Sequence, residues 1–430
     1  MRFKIYTVIS FACLLMACEH KEEQIVSRTY IDSLISHYQD PVFAGLNDSS
    51  MQFWKNRIDP KLPGLVSETK YAGSLSFRFH LFGDIQDIKK ADSTIRRLDM
   101  NFNHKEAQAD LTLVNYSILQ HRFKEADVWL EKAKQNGLKK YDQLSSSFDV
   151  DFELGRNFQA ANELKDLKSA GDYGYFFRRS KMDHLNGLLD SSIHAMLQAA
   201  KLEENSPYLF QVALSNAADL YIHAGDLKQA AGLYMKCLAI NGADFHSLTG
   251  LGWIALVHDK NDSLAKKIFS FVRTKNKLPD PLFKLTQMAQ TRSDRSEEKK
   301  WARAFESDAT GPVYGNMYNK YMIELYTGIL NDPARAELIA KNELENRATA
   351  QTYAWYAWSL YSNNKKEEAY KQFEKNVSGR PLEGLELYWM GKLMQGMDKG
   401  YNAQAFFKAA YLNKYDLSPA ILQDMEKQLD

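Results

Sequence analysis

Three short stretches of the chain carry residue types whose spacing could support chemistry. Asp149, Asp151 and Glu153 form a carboxylate cluster that could hold a metal or act as an acid/base pair, but residues two apart on a helix point to different faces. Cys237 could be a nucleophile, and the stretch 250–252 is a fragment of a phosphate-binding loop without its third glycine. The cysteine and the glycines lie within helical patterns of small residues, which favours packing over catalysis.

No complete catalytic or metal-binding motif accompanies these residues. The ten histidines are scattered and form no HExxH motif, and the chain contains neither a Walker A sequence nor a GxSxG elbow. The three cysteines are Cys13, Cys18 and Cys237, which excludes a disulfide framework and a thiolate zinc site. We therefore expect a protein that is not an enzyme and that uses no metal and no cofactor.

The composition limits the class of protein further. Of the 430 residues, 45% are hydrophobic and 25% are charged, which excludes wholesale disorder. The 55 basic residues nearly balance the 54 acidic ones, and no long basic run occurs. Because nucleic-acid binding depends on concentrated positive charge, we expect no nucleic-acid partner.

The amino terminus has the pattern of an export signal. Arg2 and Lys4 precede thirteen uncharged residues, Ile5 to Ala17, which are too few to span a bilayer. The run ends in Leu-Met-Ala followed by Cys18, which resembles the lipobox of bacterial lipoproteins. The resemblance implies that residues 1–17 are a lipoprotein signal peptide and that Cys18 carries fatty acyl chains such as palmitate. An ordinary signal peptide that contains a cysteine is the alternative.

Acidic residues follow this cysteine closely. Glu19, Glu22 and Glu23 resemble the export tag of surface lipoproteins in Bacteroidota-type outer membranes, and a solvated tether explains them equally well. One acyl chain anchors a protein only marginally, so a lipoprotein needs more than one. We expect a lipid-anchored protein of the cell envelope, at the outer membrane, with surface exposure left open.

The rest of the chain contains a repeated helical pattern. Between Asp219 and Gly242, a helix ends near Gly225 and a second helix places Ala230, Tyr234 and Cys237 on one face. This arrangement resembles a tetratricopeptide repeat (TPR), in which small residues let two helices approach closely. The resemblance implies a helical hairpin whose stability depends on its neighbours in an array.

The small residue early in the second helix recurs along the chain, mostly at intervals of 34 or 35 residues. The positions are Ala91, Ala126, Ala161, Ser192, Ala230, Ala265, Ala334, Ala369 and Ala403. A larger residue follows four positions later at Leu130, Met196, Tyr234, Phe269, Leu338, Phe373 and Phe407. The gap of 69 residues after Ala265 leaves room for one degenerate unit near Lys299 that has no alanine at this position.

These intervals predict an all-α fold, an α-solenoid of about ten TPR-like helical hairpins over residues 66–413. Residues 18–65 are expected to form a tether and an N-terminal cap. Residues 414–430 are expected to form a C-terminal capping helix opened by Ser418 and Pro419. The polar stretch from Thr291 to Lys300 is the expected place for a loop and a bend.

The first helix of each hairpin lines the concave face in TPR arrays. Counting from the recurring small residues places six side chains on that face: Trp253, Asn319, Tyr326, Trp358, Tyr361 and Lys392. Exposed tryptophan and tyrosine side chains are typical of binding hot spots and also stack on sugar rings. The alternative is that these side chains pack against neighbouring helices.

The sequence thus favours an interaction scaffold that holds a protein or peptide in a concave groove. A nutrient-capturing lipoprotein similar to SusD, which binds glycans and pairs with an outer-membrane transporter, is the alternative. SusD-type chains carry long insertions between helices, whereas these hairpins follow one another with few spare residues. An envelope-assembly factor is a third possibility, although those lipoproteins have fewer repeats.

Overall fold

The computed structural model describes residues 23–59, 61, 64–310, 313–397 and 402–429. Within these ranges the chain forms 23 α-helices and one 3₁₀ turn, Lys414–Asp416, and no strand. The predicted signal peptide and the predicted lipidation site Cys18 lie outside the described residues.

The helices follow one another with short connections. Their bounds are α1 (Arg28–Ser36), α2 (Val42–Lys55), α3 (Leu65–Phe82), α4 (Ile85–Asn101), α5 (Ala107–Leu119), α6 (Phe123–Gln135), α7 (Lys140–Glu153), α8 (Asn157–Leu167), α9 (Tyr173–Leu185), α10 (Leu189–Leu202), α11 (Pro207–Ala224), α12 (Leu227–Ile240), α13 (Phe245–Val257), α14 (Asp262–Lys275), α15 (Asp280–Thr291), α16 (Arg295–Ala309), α17 (Asn319–Thr327), α18 (Pro333–Asn346), α19 (Ala350–Ser362), α20 (Lys366–Asn376), α21 (Gly384–Met397), α22 (Ala403–Tyr411) and α23 (Pro419–Leu429).

Helices α3 to α22 form ten consecutive antiparallel pairs, and each pair packs on the next. The α-solenoid predicted from the recurring small residues is therefore confirmed. The fourth residue of the second helix is small and buried in the pairs that contain Ala126, Ser192, Ala230, Ala265 and Ala369. A small side chain at this position lets the two helix axes approach, so each pair buries its apolar faces against its neighbours.

The predicted small residue is exposed in two pairs, and in two others it is the seventh residue of α4 and the first residue of α22 rather than the fourth. Ala161 is exposed, and Ala160 takes the buried position in α8. Ala334 is also exposed, together with the predicted large residue Leu338, and Ala336 is the buried small residue of α18. The connections between helices differ in length, so a constant interval drifts by one or two residues.

The polar stretch from Thr291 to Lys300 is not a loop. Helix α15 ends at Thr291, α16 begins at Arg295, and only residues 292–294 connect them. This pair is the degenerate unit, because Glu298 occupies the fourth position of α16 in place of a small residue. Its buried carboxylate accepts a hydrogen bond from Gln290 Nε2 at 3.1 Å, which satisfies a polar group inside the array.

The superhelix is wound tightly enough for early pairs to contact later ones. The connection after α14 meets the connection after α3, where the Lys277 N–H donates to the Phe82 carbonyl at 2.8 Å. The turn before α6 meets the end of α18, where Asn346 Nδ2 donates to the His121 carbonyl at 2.8 Å. These contacts join successive turns of the solenoid into one body.

The two N-terminal helices pack at different places. Helix α2 packs on α3, whereas α1 packs on α14 in the middle of the array. The Ile25 and Val26 N–H groups each donate to the Asp259 carboxylate at 2.9 Å, and Ile31 is fully buried. The chain from Ile25 onward is therefore held by the solenoid.

The C-terminal helix covers the last pair, as predicted. Ser418 Oγ accepts a hydrogen bond from the Ile421 N–H at the start of α23, and Met425 packs in a cluster with Phe407. Helix α23 also contacts α15, so the end of the chain reaches back to the middle of the array. This return path brings residues 413–418 into the hollow of the superhelix.

Candidate functional site

The first helices of several pairs point polar side chains into one common space, which we call the inner groove. We define it by Asp219 and His223 on α11, His246 and Trp253 on α13, Lys284 on α15, Lys320 and Glu324 on α17, and Glu383 just before α21. The charges of these residues act on one another across the space: Lys284 and Lys320 both lower the pKa of Glu324, and Glu383 raises that of His223.

The helical period explains why these side chains share one face. Asp219 and His223 are four residues apart on α11, and Lys320 and Glu324 are four residues apart on α17, so each pair lies on one side of its helix. The other faces are apolar and buried, with Ile323 on α17 as an example. Packing of the apolar faces between pairs thus leaves the polar faces to line the hollow.

Asp219 is the centre of one cluster. Tyr234 Oη donates to its Oδ1 at 2.5 Å, and His246 Nε2 lies 2.9 Å from its Oδ2. The charge of Asp219 raises the pKa of His246 to about 9, against the opposing effect of burial. Burial alone would raise the pKa of Asp219, but His246 and the hydrogen bonds hold it below its ordinary value. The pair is therefore ionised at neutral pH.

Lys320 is the centre of a second cluster. Its Nζ lies 3.2 Å from Glu383 Oε2 and 2.9 Å from Glu386 Oε1, and Glu386 also accepts a hydrogen bond from Trp355 Nε1 at 2.7 Å. The positive charge of Lys320 lowers the pKa of Glu383 to about 2. Burial lowers the pKa of Lys320, but the two glutamates outweigh it and raise the value overall.

Two groove side chains of opposite charge have no ion-pair partner among the described residues. Lys284 Nζ lies 3.6 Å from the ring centroid of Trp253, and burial lowers its pKa to about 8. Burial raises the pKa of Glu324 to about 7. Both groups are partly accessible to water. They are free to bind a charged or hydrogen-bonding ligand, since no side chain of the groove neutralises them directly.

The groove is already occupied in part by residues 413–418, which we call the C-terminal segment. His223 Nδ1 lies 2.5 Å from Asp416 Oδ2, and Trp253 Nε1 donates to the Tyr415 carbonyl at 2.6 Å. The Tyr415 ring lies beside Gly225, the left-handed residue that ends α11. The groove therefore holds a short peptide through one backbone carbonyl and one carboxylate.

The six residues predicted to bind a partner have different surroundings in the structure. Trp253 does face the groove, but it is only 5% exposed because Lys284 and the C-terminal segment cover it. Tyr326 does not face the groove: it is 1% exposed, and its hydroxyl donates to Glu306 Oε1 at 2.6 Å. Asn319 Nδ2 donates to Glu343 Oε2 at 2.7 Å, which joins α17 to α18.

The other three predicted residues are half-buried and have partners. Trp358 stacks on Trp389 at 5.8 Å between ring centroids and on Tyr361 at 5.7 Å. Its Nε1 donates to Thr327 Oγ1 at 3.0 Å, so it joins neighbouring pairs. Lys392 Nζ lies 3.1 Å from Asp424 on the C-terminal helix. The alternative interpretation, packing between helices, describes the surroundings of Trp358 and Lys392 in the structure.

The charged residues of the groove were missed in the sequence, although a signal for them was present. Four of the six predicted binding residues are aromatic, whereas the groove is lined by charged side chains on otherwise apolar helices. Asp219 with His223, and Lys320 with Glu324, are pairs of opposite charge at a spacing of four residues within such helices. This pattern identifies a polar stripe on a helix that is otherwise buried.

Chemically, the groove has the character of a binding surface. No group of three or more histidine, cysteine, aspartate or glutamate side chains suited to a metal ion occurs in the described part of the chain. Gly250 and Gly252, the fragment of a phosphate loop, lie within α13 against the rings of Tyr234 and Phe269, where a side chain would not fit. Their role in the structure is close packing.

No protein-family model matches the chain, and no curated protein matches it. A tetratricopeptide repeat protein from Parabacteroides merdae is 14% identical over 67% of this chain and 98% of that chain, with a TM-score of 0.35. Yeast Tom70 is 13% identical over 93% of this chain and 88% of that chain, with a TM-score of 0.38. The quorum sensor NprR from B. thuringiensis is 14% identical over 74% and 98%, with a TM-score of 0.43.

The assignment of the fold rests on the ten helix pairs themselves. None of the helices in the described ranges is long and apolar enough to cross a membrane.

Proposed function

We propose that this protein is an interaction scaffold whose inner groove binds a segment of a partner protein. The proposal depends on the way the C-terminal segment is bound. Trp253 donates a hydrogen bond to a peptide carbonyl of this segment, and His223 binds a carboxylate. A surface that holds one peptide by its backbone and by an acidic side chain has the chemistry to hold another. Hydrogen bonds that involve a charged group contribute about 1.5–3 kcal/mol each, which suffices for specific recognition.

The unpaired charges of the groove supply further contacts. Lys284 and Glu324 have no ion-pair partner in the described part of the chain, and both are partly accessible to water. A partner that neutralises them removes an electrostatic cost of the free protein, which adds to the affinity. We therefore place the partner along α13, α15 and α17.

The proposal is tested by recovery of partners from crosslinked cells that express the full chain. We expect Lys284→Met to reduce the recovered partner at least tenfold, because the variant removes the unpaired cation without changing the apolar core. Lys408→Met is the matched control, since Lys408 is exposed on α22, outside the groove. Equal recovery with the two variants would contradict binding in the groove.

We further propose that the chain is a lipoprotein anchored through Cys18 in a Bacteroidota-type outer membrane. The support is the uncharged run after Lys4 and its end at Cys18. We expect Cys18→Ala to leave the chain uncleaved or to move it to the soluble fraction, and Cys13→Ala to leave it with the membranes. Membrane fractionation that is the same for both variants would count against lipidation.

A glycan-capturing role similar to that of SusD-type proteins has less support. Trp358, the tryptophan of the aromatic run on α19, already stacks on Trp389 and Tyr361 and donates its indole N–H to Thr327. Sugar binding needs a free ring face, which these contacts of Trp358 disfavour.

A further inference from the structure

We propose that the C-terminal segment is a built-in competitor, which occupies the peptide site of the inner groove until a partner displaces it. This inference rests on the scaffold function proposed above and names the chemistry of the partner. The displacing peptide carries an acidic side chain directly after a residue whose carbonyl faces Trp253, as Asp416 follows Tyr415.

The first argument is the position of the contacts. The segment touches two different first helices, with Asp416 against His223 on α11 and the Tyr415 carbonyl against Trp253 on α13. These are neighbouring pairs of the array, and Lys284 on the next pair lies against the same tryptophan. The segment therefore bridges two neighbouring pairs of the array, as a bound partner would.

The second argument is that the segment can be displaced. The side chains of His223 and Asp416 are 27% and 22% exposed, so water reaches their ion pair and screens part of its attraction. The segment also leaves Lys284 and Glu324 unpaired. A partner that binds the same donors and also neutralises these two residues binds better than the segment does, and that difference drives the exchange.

The third argument is that the flanking helices have anchors of their own. Helix α23 is tied to α21, because Asp424 accepts a hydrogen bond from Tyr388 Oη at 2.8 Å and lies 3.1 Å from Lys392 Nζ. On the other flank, Phe407 of α22 packs with Met425. Leu417 is 2% exposed in the same cluster, and Ser418 caps α23, so both belong to this anchor. Residues 413–416 can therefore leave the groove while α22 and α23 keep these contacts.

The test measures binding of a fluorescent peptide with the sequence of residues 412–422 to the purified full chain by anisotropy. We expect weak binding to the unaltered protein, because the tethered copy of the segment competes at high local concentration. Asp416→Asn in the protein weakens the tethered copy and leaves the receptor side unchanged, so the peptide should bind about fivefold more tightly at pH 6. Glu426→Gln, on the exposed face of α23, is the matched control and should bind like the unaltered protein.

The receptor side is tested in the same background. The double variant Asp416→Asn with His223→Gln should lose the gain in affinity, and a peptide with asparagine in place of Asp416 should lose it as well. Circular dichroism melting shows whether each variant is folded. In the folded Asp416→Asn protein, amide hydrogen exchange over residues 413–416 should be about fivefold faster than in the unaltered protein.

Two results would overturn the inference: a peptide affinity that Asp416→Asn does not raise, or a gain that survives His223→Gln. Neither result touches the scaffold function, which depends on partner recovery and its loss in Lys284→Met. Lys284→Met could abolish partner recovery while Asp416→Asn leaves the peptide affinity unchanged. This combination would support the scaffold function and contradict the proposal that the C-terminal segment competes with the partner.

Discussion

At the scale of single residues, Glu324 is a carboxylate whose ionised form is disfavoured by burial. Its pKa is raised from 4.5 to about 7, so ionisation costs stability in the folded protein, and the cost appears as pH rises through this range. We expect Glu324→Gln to raise the melting temperature by about 2 °C at pH 8 and to change it little at pH 5. Thermal unfolding at the two pH values checks this, and a gain at pH 5 as large as at pH 8 would contradict it.

Cys237 illustrates the opposite case, a reactive group made inert by its surroundings. It is fully buried on α12, and burial raises the pKa of its thiol to about 12. Because the thiolate is the reactive form, alkylation of the folded protein at pH 8 should be about 1,000-fold slower than alkylation of the unfolded chain. Mass-spectrometric mapping of iodoacetamide labelling measures both rates, and fast labelling of Cys237 in the folded protein would refute its burial.

The residues that could be predicted are those whose environment is local. Cys237 follows Ala230 by seven positions on one helix, so its packing role could be inferred from the sequence. The face of Tyr326 depends on where α17 begins, and the turn residues 313–318 directly precede that start. The repeat interval carries no information about such a segment, so Tyr326 was assigned to the wrong face.

At the scale of helices, the pairs were predictable and the contacts between successive turns of the superhelix were not. The pairs depend on a period of 3.6 residues and on small residues at close approaches, which the sequence displays directly. The contact between Asn346 and the His121 carbonyl joins residues 225 positions apart. It depends on the pitch of the whole superhelix, which accumulates from small rotations between pairs.

We expect substitution of Arg347 to weaken this contact between turns more than any other single change. Arg347 follows α18, pairs with Glu343 Oε1 at 2.9 Å and with Glu153 Oε2 at 3.6 Å, and lies 4.7 Å from the Phe123 ring centroid. Glu343 is fully buried, so removal of the guanidinium leaves a buried carboxylate without its cation. We expect Arg347→Ala to lower the free energy of unfolding by about 3 kcal/mol in urea titrations.

Two further variants separate the causes. Arg347→Lys keeps the charge but loses the planar contact with Phe123, so about half of the loss should remain. Arg303→Ala removes an arginine whose side chain is 54% exposed and pairs with Glu306, and it should cost much less than Arg347→Ala. If Arg303→Ala lowered the free energy of unfolding as much as Arg347→Ala, the contact between turns would stabilise the fold no more than an exposed ion pair does.

At the scale of the whole molecule, the chain closes on itself through its C-terminal segment, and this closure should depend on pH. Burial lowers the pKa of His223, but Asp416, Glu383 and Asp219 outweigh it and raise the value above that of a free histidine. The neighbouring His184, whose ring centroid lies 4.8 Å from that of His223, has a lowered pKa because of burial. His223 therefore keeps its proton, and its attraction for Asp416, to a higher pH than a free histidine does.

A histidine with a raised pKa in the folded state stabilises the fold fully below its unfolded pKa of 6.5, and this contribution is lost as pH rises through the folded value. Asp416→Asn should therefore lower the free energy of unfolding by about 1 kcal/mol at pH 6 and by almost nothing at pH 9.5. Asp424→Asn removes an ion pair to Lys392 instead, so its cost should not follow the titration of His223. Urea titrations of both variants at several pH values measure the two slopes. A cost of Asp416→Asn that is independent of pH would show that His223 does not hold the C-terminal segment in the groove.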